Sequence, residues 1–121
     1  MLSSSGSASN PSRPPGVGSG DLHVVVSSTD SAHEVRLQGE LDLGTASQLR
    51  DELARLAADG ARLVTVDMSD LAFIDSTGLS VLITALKRLR QQGGDMALRS
   101  PTPSTRKVLE ITGLTEVFSI S

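Results

Sequence analysis

Cysteine is absent from this 121-residue sequence. That excludes disulfide bridges, thiolate nucleophiles and zinc–thiolate centres, and it agrees with a reducing compartment. Tryptophan and tyrosine are absent as well, leaving two phenylalanines. There is no basic excess either, with 11 Lys and Arg against 14 Asp and Glu. A nucleic-acid-binding domain would usually show both a basic excess and stacking aromatics, so nothing here suggests that class. No apolar run approaches the ~20 residues that cross a bilayer. The N-terminus lacks the basic start and apolar stretch of a signal peptide. The expectation is a soluble cytoplasmic domain with neither a nucleic-acid nor a membrane partner.

Residues 1–20 are mostly Ser, Gly and Pro. Such a stretch cannot bury enough apolar surface to offset its ordering entropy, so it reads as a disordered tail. Residues 21–121 then form one domain, long enough for a real but modest core.

Within the domain, Leu22, Val24 and Val26 alternate with second-face positions, Ser27–Ser31 reads as a polar turn, and Val35, Leu37 and Gly39 alternate again. This predicts a strand pair with one wet face. Gly39-Glu40-Leu41-Asp42 breaks the pattern ahead of a helix. Thr45 is the expected N-cap, with Gln48 at capping-box spacing. Leu49, Leu53 and Leu56 form that helix's apolar stripe, and Gly60 is its expected stop. Leu63–Asp67 reads as a short interior strand. Leu79, Leu82, Ile83, Leu86 and Leu89 predict a helix from about Ser76 to Gln92. Met96–Leu98 is another short strand, Thr102-Pro103 opens a further helix, and Val117–Ile120 adds a last strand. The alternation predicts an α/β domain: a mixed four- to five-stranded sheet packed with about three helices and right-handed crossovers. The loops Asp42–Thr45 and Asp75–Gly78 both follow strands and precede helices, which puts them at one end of the sheet.

The second of these loops carries the chemistry. Asp75-Ser76-Thr77-Gly78-Leu79 places an acid and two hydroxyls where a helix opens, among N–H groups without intrahelical acceptors. A hydroxyl there can cap the helix, act as a nucleophile or receive a phosphate. The aspartic-protease signature fits badly, because a residue too many separates acid from glycine and the context is helical. A serine nucleophile needs a base, and the two histidines, His23 and His33, lie in the first strand pair. No phosphate loop with its Lys is present. Asp67, Asp70 and Asp75 read as strand-end and turn residues rather than metal ligands. No catalytic activity and no cofactor are expected.

Gly39-Glu40-Leu41-Asp42, Val66-Asp67, Phe73-Ile74-Asp75-Ser76-Thr77-Gly78-Leu79, Gly93-Gly94, Ser100-Pro101 and Leu109-Glu110-Ile111-Thr112-Gly113-Leu114 together resemble the core of the STAS family. More narrowly, they resemble its bacterial anti-sigma factor antagonists. The resemblance runs from about Leu22 to the C-terminus. It implies a single STAS-like domain that binds an anti-sigma factor with serine kinase activity and so frees a sigma factor. It makes Ser76 the phosphoacceptor, with Thr77 as a supporting hydroxyl, and implies a PP2C-type phosphatase that reverses the modification. Asp42, Thr45, Asp75, Ser76, Thr77 and Gly78 form the expected partner-binding surface. Family members commonly continue into a final amphipathic helix, whereas this sequence ends at Ser121. The alternatives are an unphosphorylated STAS scaffold or adaptor in a sensory or transport assembly, and a module that responds to nucleotide.

Overall fold

The computed structural model describes residues 20–30 and 32–121. Its elements are β1 (Leu22–Thr29), β2 (Ala32–Leu41), α1 (Ala46–Ala58), β3 (Leu63–Ile74), α2 (Ser76–Gln91), β4 (Asp95–Arg99), α3 (Pro103–Ile111), a 3-10 turn (Leu114–Glu116) and β5 (Ser119–Ile120). The strands form one five-stranded sheet in the order β1-β2-β3-β4-β5. β1 pairs antiparallel with β2, and every later pairing is parallel. The expected α/β class, mixed sheet and three helices are all present.

Each crossover steps to the next strand in the same direction. Right-handed connections of that kind put all three helices on one face of the sheet. Side-chain burial follows. Val35, Leu37, Val64, Val66, Met96 and Leu98 point into the helical layer and are fully buried. They meet the stripes Leu49/Leu53/Leu56 of α1 and Leu79/Leu82/Leu86/Leu89 of α2. The other face carries charge. Arg36 pairs with Asp70 at 2.8 Å, and Arg99 pairs with Asp67 at 3.1 Å and with Glu34. The hydrogen bond and charge of Asp70 push the Arg36 pKa further up. Apart from Asp67, these side chains are substantially exposed, and such pairs contribute about 0–1 kcal/mol. Burying one leucine contributes about 1.5–3 kcal/mol. The core therefore sets the fold, and the open face keeps it wet.

Several boundaries differ from the sequence-based expectations. Ser27, Ser28 and Thr29 belong to β1 and pair with Glu34, His33 and Ala32, because a strand with one wet face admits polar residues without ending. The stretch from Gly39 to Leu41 continues β2, with an irregularity between Gly39 and Glu40. Gly39 has φ +113°, and a Cβ there would lie 2.0 Å from the Asp21 carbonyl oxygen, so the chain stays in the sheet only because this residue is glycine. β3 does not stop at Asp67. It runs to Ile74, and register shifts against β2 absorb the extra residues. The tail read over residues 1–20 lies outside the described residues except for Gly20, whose N–H donates to Glu40 Oε1 at 3.0 Å.

Candidate functional site

The C-terminal ends of β2 and β3 lie side by side, with Leu41 paired to Ile74. The loops that follow, Asp42–Thr45 and Asp75–Gly78, therefore meet at one end of the sheet, as expected from their positions in the sequence. Asp75 joins them. Its N–H donates to Leu41 O at 3.1 Å, its Oδ1 accepts from Gly78 N at 3.0 Å, and its Oδ2 accepts from Leu43 N at 3.1 Å. One carboxylate thus caps α2 and holds the neighbouring loop.

The cap decides the state of Ser76. Asp75 has the extended backbone of an N-cap, with φ −114° and ψ −176°. Ser76 is the first residue of α2 instead, and its side chain is exposed. Its hydroxyl has no hydrogen-bond partner among the described residues. Thr77, half-buried, is in the same position. Gly78 N–H goes to Asp75 Oδ1 and Leu79 N–H to Asp75 O. That leaves the N–H groups of Ser76 and Thr77 without intrahelical acceptors, at the positive end of a sixteen-residue helix.

The other members of the expected surface do structural work. Asp42 and Thr45 are buried, at 3% and 4% exposure. Asp42 Oδ1 accepts from Gly44 N and Thr45 N, and Thr45 Oγ1 donates to Glu40 O at 2.8 Å while accepting from Asp42 N at 3.0 Å. Thr45 stands at the N-cap of α1, but its hydroxyl makes no cap bond. The expected capping box is not formed, because Thr45 is turned back into the loop and the Gln48 amide reaches across to Leu22 O at 3.1 Å. Gly78 is buried against β2, and a Cβ there would meet Leu41 Cγ at 2.6 Å and Ile74 Cγ1 at 3.1 Å. These three residues shape the surface from beneath.

Apolar side chains supply what sequence reasoning left out. Leu43, at the tip of the first loop, is 78% exposed, and Phe73 is 42% exposed. With Asp42, Gly44 and Asp75 they line an open cleft of about 290 Å³. Leu43 carried a signal, being apolar within an otherwise polar loop. Phe73 did not, because the register irregularity in β3 sets which residue of Leu71–Ile74 faces out.

Neither histidine hydrogen-bonds the Ser76 hydroxyl. His33 is paired with Val64 near the far end of the sheet, about eight residues or roughly 26 Å back along β2, and its Nδ1 is 2.6 Å from Ser28 Oγ. His23 is exposed in β1 opposite Gln38. Asp67 and Asp70 engage Arg99 and Arg36. Among the described residues, no group of three His, Cys, Asp or Glu side chains could hold a metal ion, and no helix is long and apolar enough to cross a membrane.

Fold and site together define the class: a small α/β domain whose sheet is covered on one face, with a free hydroxyl opening a helix at its exposed end. The STAS domain family model matches residues 23–121, and the chain belongs to that family. The anti-sigma-B factor antagonist of Bacillus subtilis (strain 168) is 33% identical over 101 residues, spanning 84% of this chain and 92% of that one. The crystal structure of an anti-sigma factor antagonist from Mycobacterium paratuberculosis superposes with a TM-score of 0.75 at 27% identity, covering 82% of this chain and 84% of that one. The Bacillus cell fate determinant SpoIIAA in its phosphorylated form superposes with a TM-score of 0.67 at 26% identity, over 82% and 91% of the two chains.

Proposed function

We propose that this chain is a cytoplasmic anti-sigma factor antagonist, switched off by phosphorylation of Ser76. Unmodified, it binds an anti-sigma factor with serine kinase activity and so releases a sigma factor. A PP2C-type phosphatase restores the binding form. Relatives named as anti-sigma factor antagonists support the class of function. The observation that carries the switch is the exposed Ser76 hydroxyl, which makes no bond within the described fold because Asp75 caps the helix in its place.

The physics of the switch is local. A phosphoryl group adds about −1.5 to −2 charges at neutral pH and three acceptor oxygens. On Ser76 it sits beside the first-turn N–H groups of α2, where the helix dipole favours negative charge. The fold tolerates the modification for that reason. A docked partner does not, because the phosphate must lose water and stand against whatever acidic or apolar surface covers Ser76. In this reading Ser76 is a substrate and the chain has no catalysis of its own.

The test uses the purified candidate kinase with ATP, mass mapping of the product and calorimetry of both forms. Phosphate is expected on Ser76, with binding lost in the phospho-form. Phosphate on Thr77 or Ser80 alone overturns the assignment, as does undiminished binding by the phospho-form. Ser76→Ala is expected to fold normally and bind without regulation.

A further inference from the structure

We infer that the partner's contact surface extends past Ser76, across Phe73, to the start of α3, and that an uncharged apolar side chain of the partner seats there. The partner named is the anti-sigma factor of the reading above, on which this inference rests.

The cleft exists because β3 outruns its neighbour. β3 has twelve residues and β4 has five, and their pairing ends at Asp67 and Arg99. Past that point the β3 edge faces α3 instead of a strand. The space between is a cleft of about 260 Å³ lined by Ala72, Phe73, Ile74, Ser104, Thr105 and Val108. None of these side chains is charged. Thr105 is buried, its N–H donates to the Thr102 hydroxyl and its Oγ1 accepts from that same hydroxyl, so each of these groups has a partner inside the fold. An apolar group meets a largely apolar lining there, whereas a charged one would find no counterpart.

Phe73 links this cleft to Ser76. It lines both clefts, the one toward Leu43 and the one toward α3. A stable specific interface buries about 800 Å² on each partner, a disc of about 16 Å radius. Phe73 lies three residues before Ser76, within about 10 Å. A patch of that size centred on Ser76 reaches Phe73 and the second cleft. Leu43 and Phe73 are the large apolar side chains left exposed at this end of the sheet, and residues of that kind anchor interfaces when water is excluded around them. Charge on Ser76 and anchoring at Phe73 are then separate parts of one surface.

The experiment measures affinity for the purified anti-sigma factor that the unmodified chain binds, using full-length wild type, Ser76→Asp, Phe73→Ala, Val108→Glu and Ser104→Arg. Ser104 is exposed, so its replacement adds bulk and charge at the rim without disturbing the core. Circular dichroism and thermal melts check each fold. At least tenfold weaker binding is expected for Phe73→Ala and for Ser104→Arg, with phosphorylation sites unchanged. Loss with Ser76→Asp but wild-type affinity for folded Val108→Glu and Ser104→Arg overturns the anchor and leaves the switch standing. Loss with the cleft variants but not with Ser76→Asp or with phosphate supports the anchor and overturns the switch. A chain that binds none of its organism's anti-sigma factors overturns the proposed function and, with it, the occupant named here.

Discussion

Asp75, Ser76 and Gly78 divide three tasks that their sequence leaves undivided. Both Asp and Ser are favoured N-caps, so the motif alone allows either to cap and the other to be free. The backbone decides it: Asp75 is extended and holds Gly78 N–H, and Ser76 has entered the helix. Asp75→Ala should therefore destabilise the domain by about 1–2 kcal/mol, measured as a shift in the urea midpoint, with faster hydrogen exchange at the Leu43 amide. Unchanged exchange at Leu43 would show that the carboxylate does not hold the loop. Gly78→Ala gives a test of sign. In an exposed helix this change is favourable by about 1 kcal/mol. Here the new methyl would lie 2.6 Å from Leu41 Cγ, and Leu41 is fully buried. A net loss of about 1–3 kcal/mol is expected from overpacking, and a gain in denaturant stability would refute the close approach.

Among the elements, α2 was the most legible, because a leucine stripe at helical spacing leaves one solution. The start of α1 was the least. Thr45 and Gln48 have capping-box spacing, yet Asp42 organises the loop and the Gln48 amide bonds Leu22 O. The two arrangements differ in what Glu does at position 48. A capping box accepts Glu as readily as Gln. A donor to a carbonyl does not, since a carboxylate has no proton to give. Gln48→Glu should cost about 1 kcal/mol, read from thermal or urea unfolding, and neutral behaviour would restore the capping box. The extent of β3 was also hidden, because its continuation through Met68–Leu71 depends on pairing with β2 and not on local pattern.

For the molecule as a whole, the one-sided sheet separates strong contributions from weak ones. Leu37 is fully buried beneath the helices, and Leu37→Ala should cost about 2–5 kcal/mol. Arg36, its neighbour in β2, points to the open face with its side chain 50% exposed. Arg36→Ala should change stability by less than about 1 kcal/mol, and by less still in high salt. Equal effects of the two substitutions in chemical denaturation would contradict the placement of the core. Ser76 lies outside the buried cluster, at the mouth of the sheet, so the phosphate proposed for it would leave the core undisturbed.

The order of strands and helices, the helix opening at the Asp-Ser-Thr-Gly turn and the convergence of two loops were written in the sequence. They follow from periodicity, from glycine and cap chemistry, and from the handedness of crossovers, all of which act locally or by simple topology. Which carboxylate caps, which polar residues lie buried, and which apolar side chains stand exposed around Ser76 were decided only by tertiary structure. Those outcomes depend on register between strands and on the different lengths of β3 and β4, and no stretch of the chain encodes either by itself.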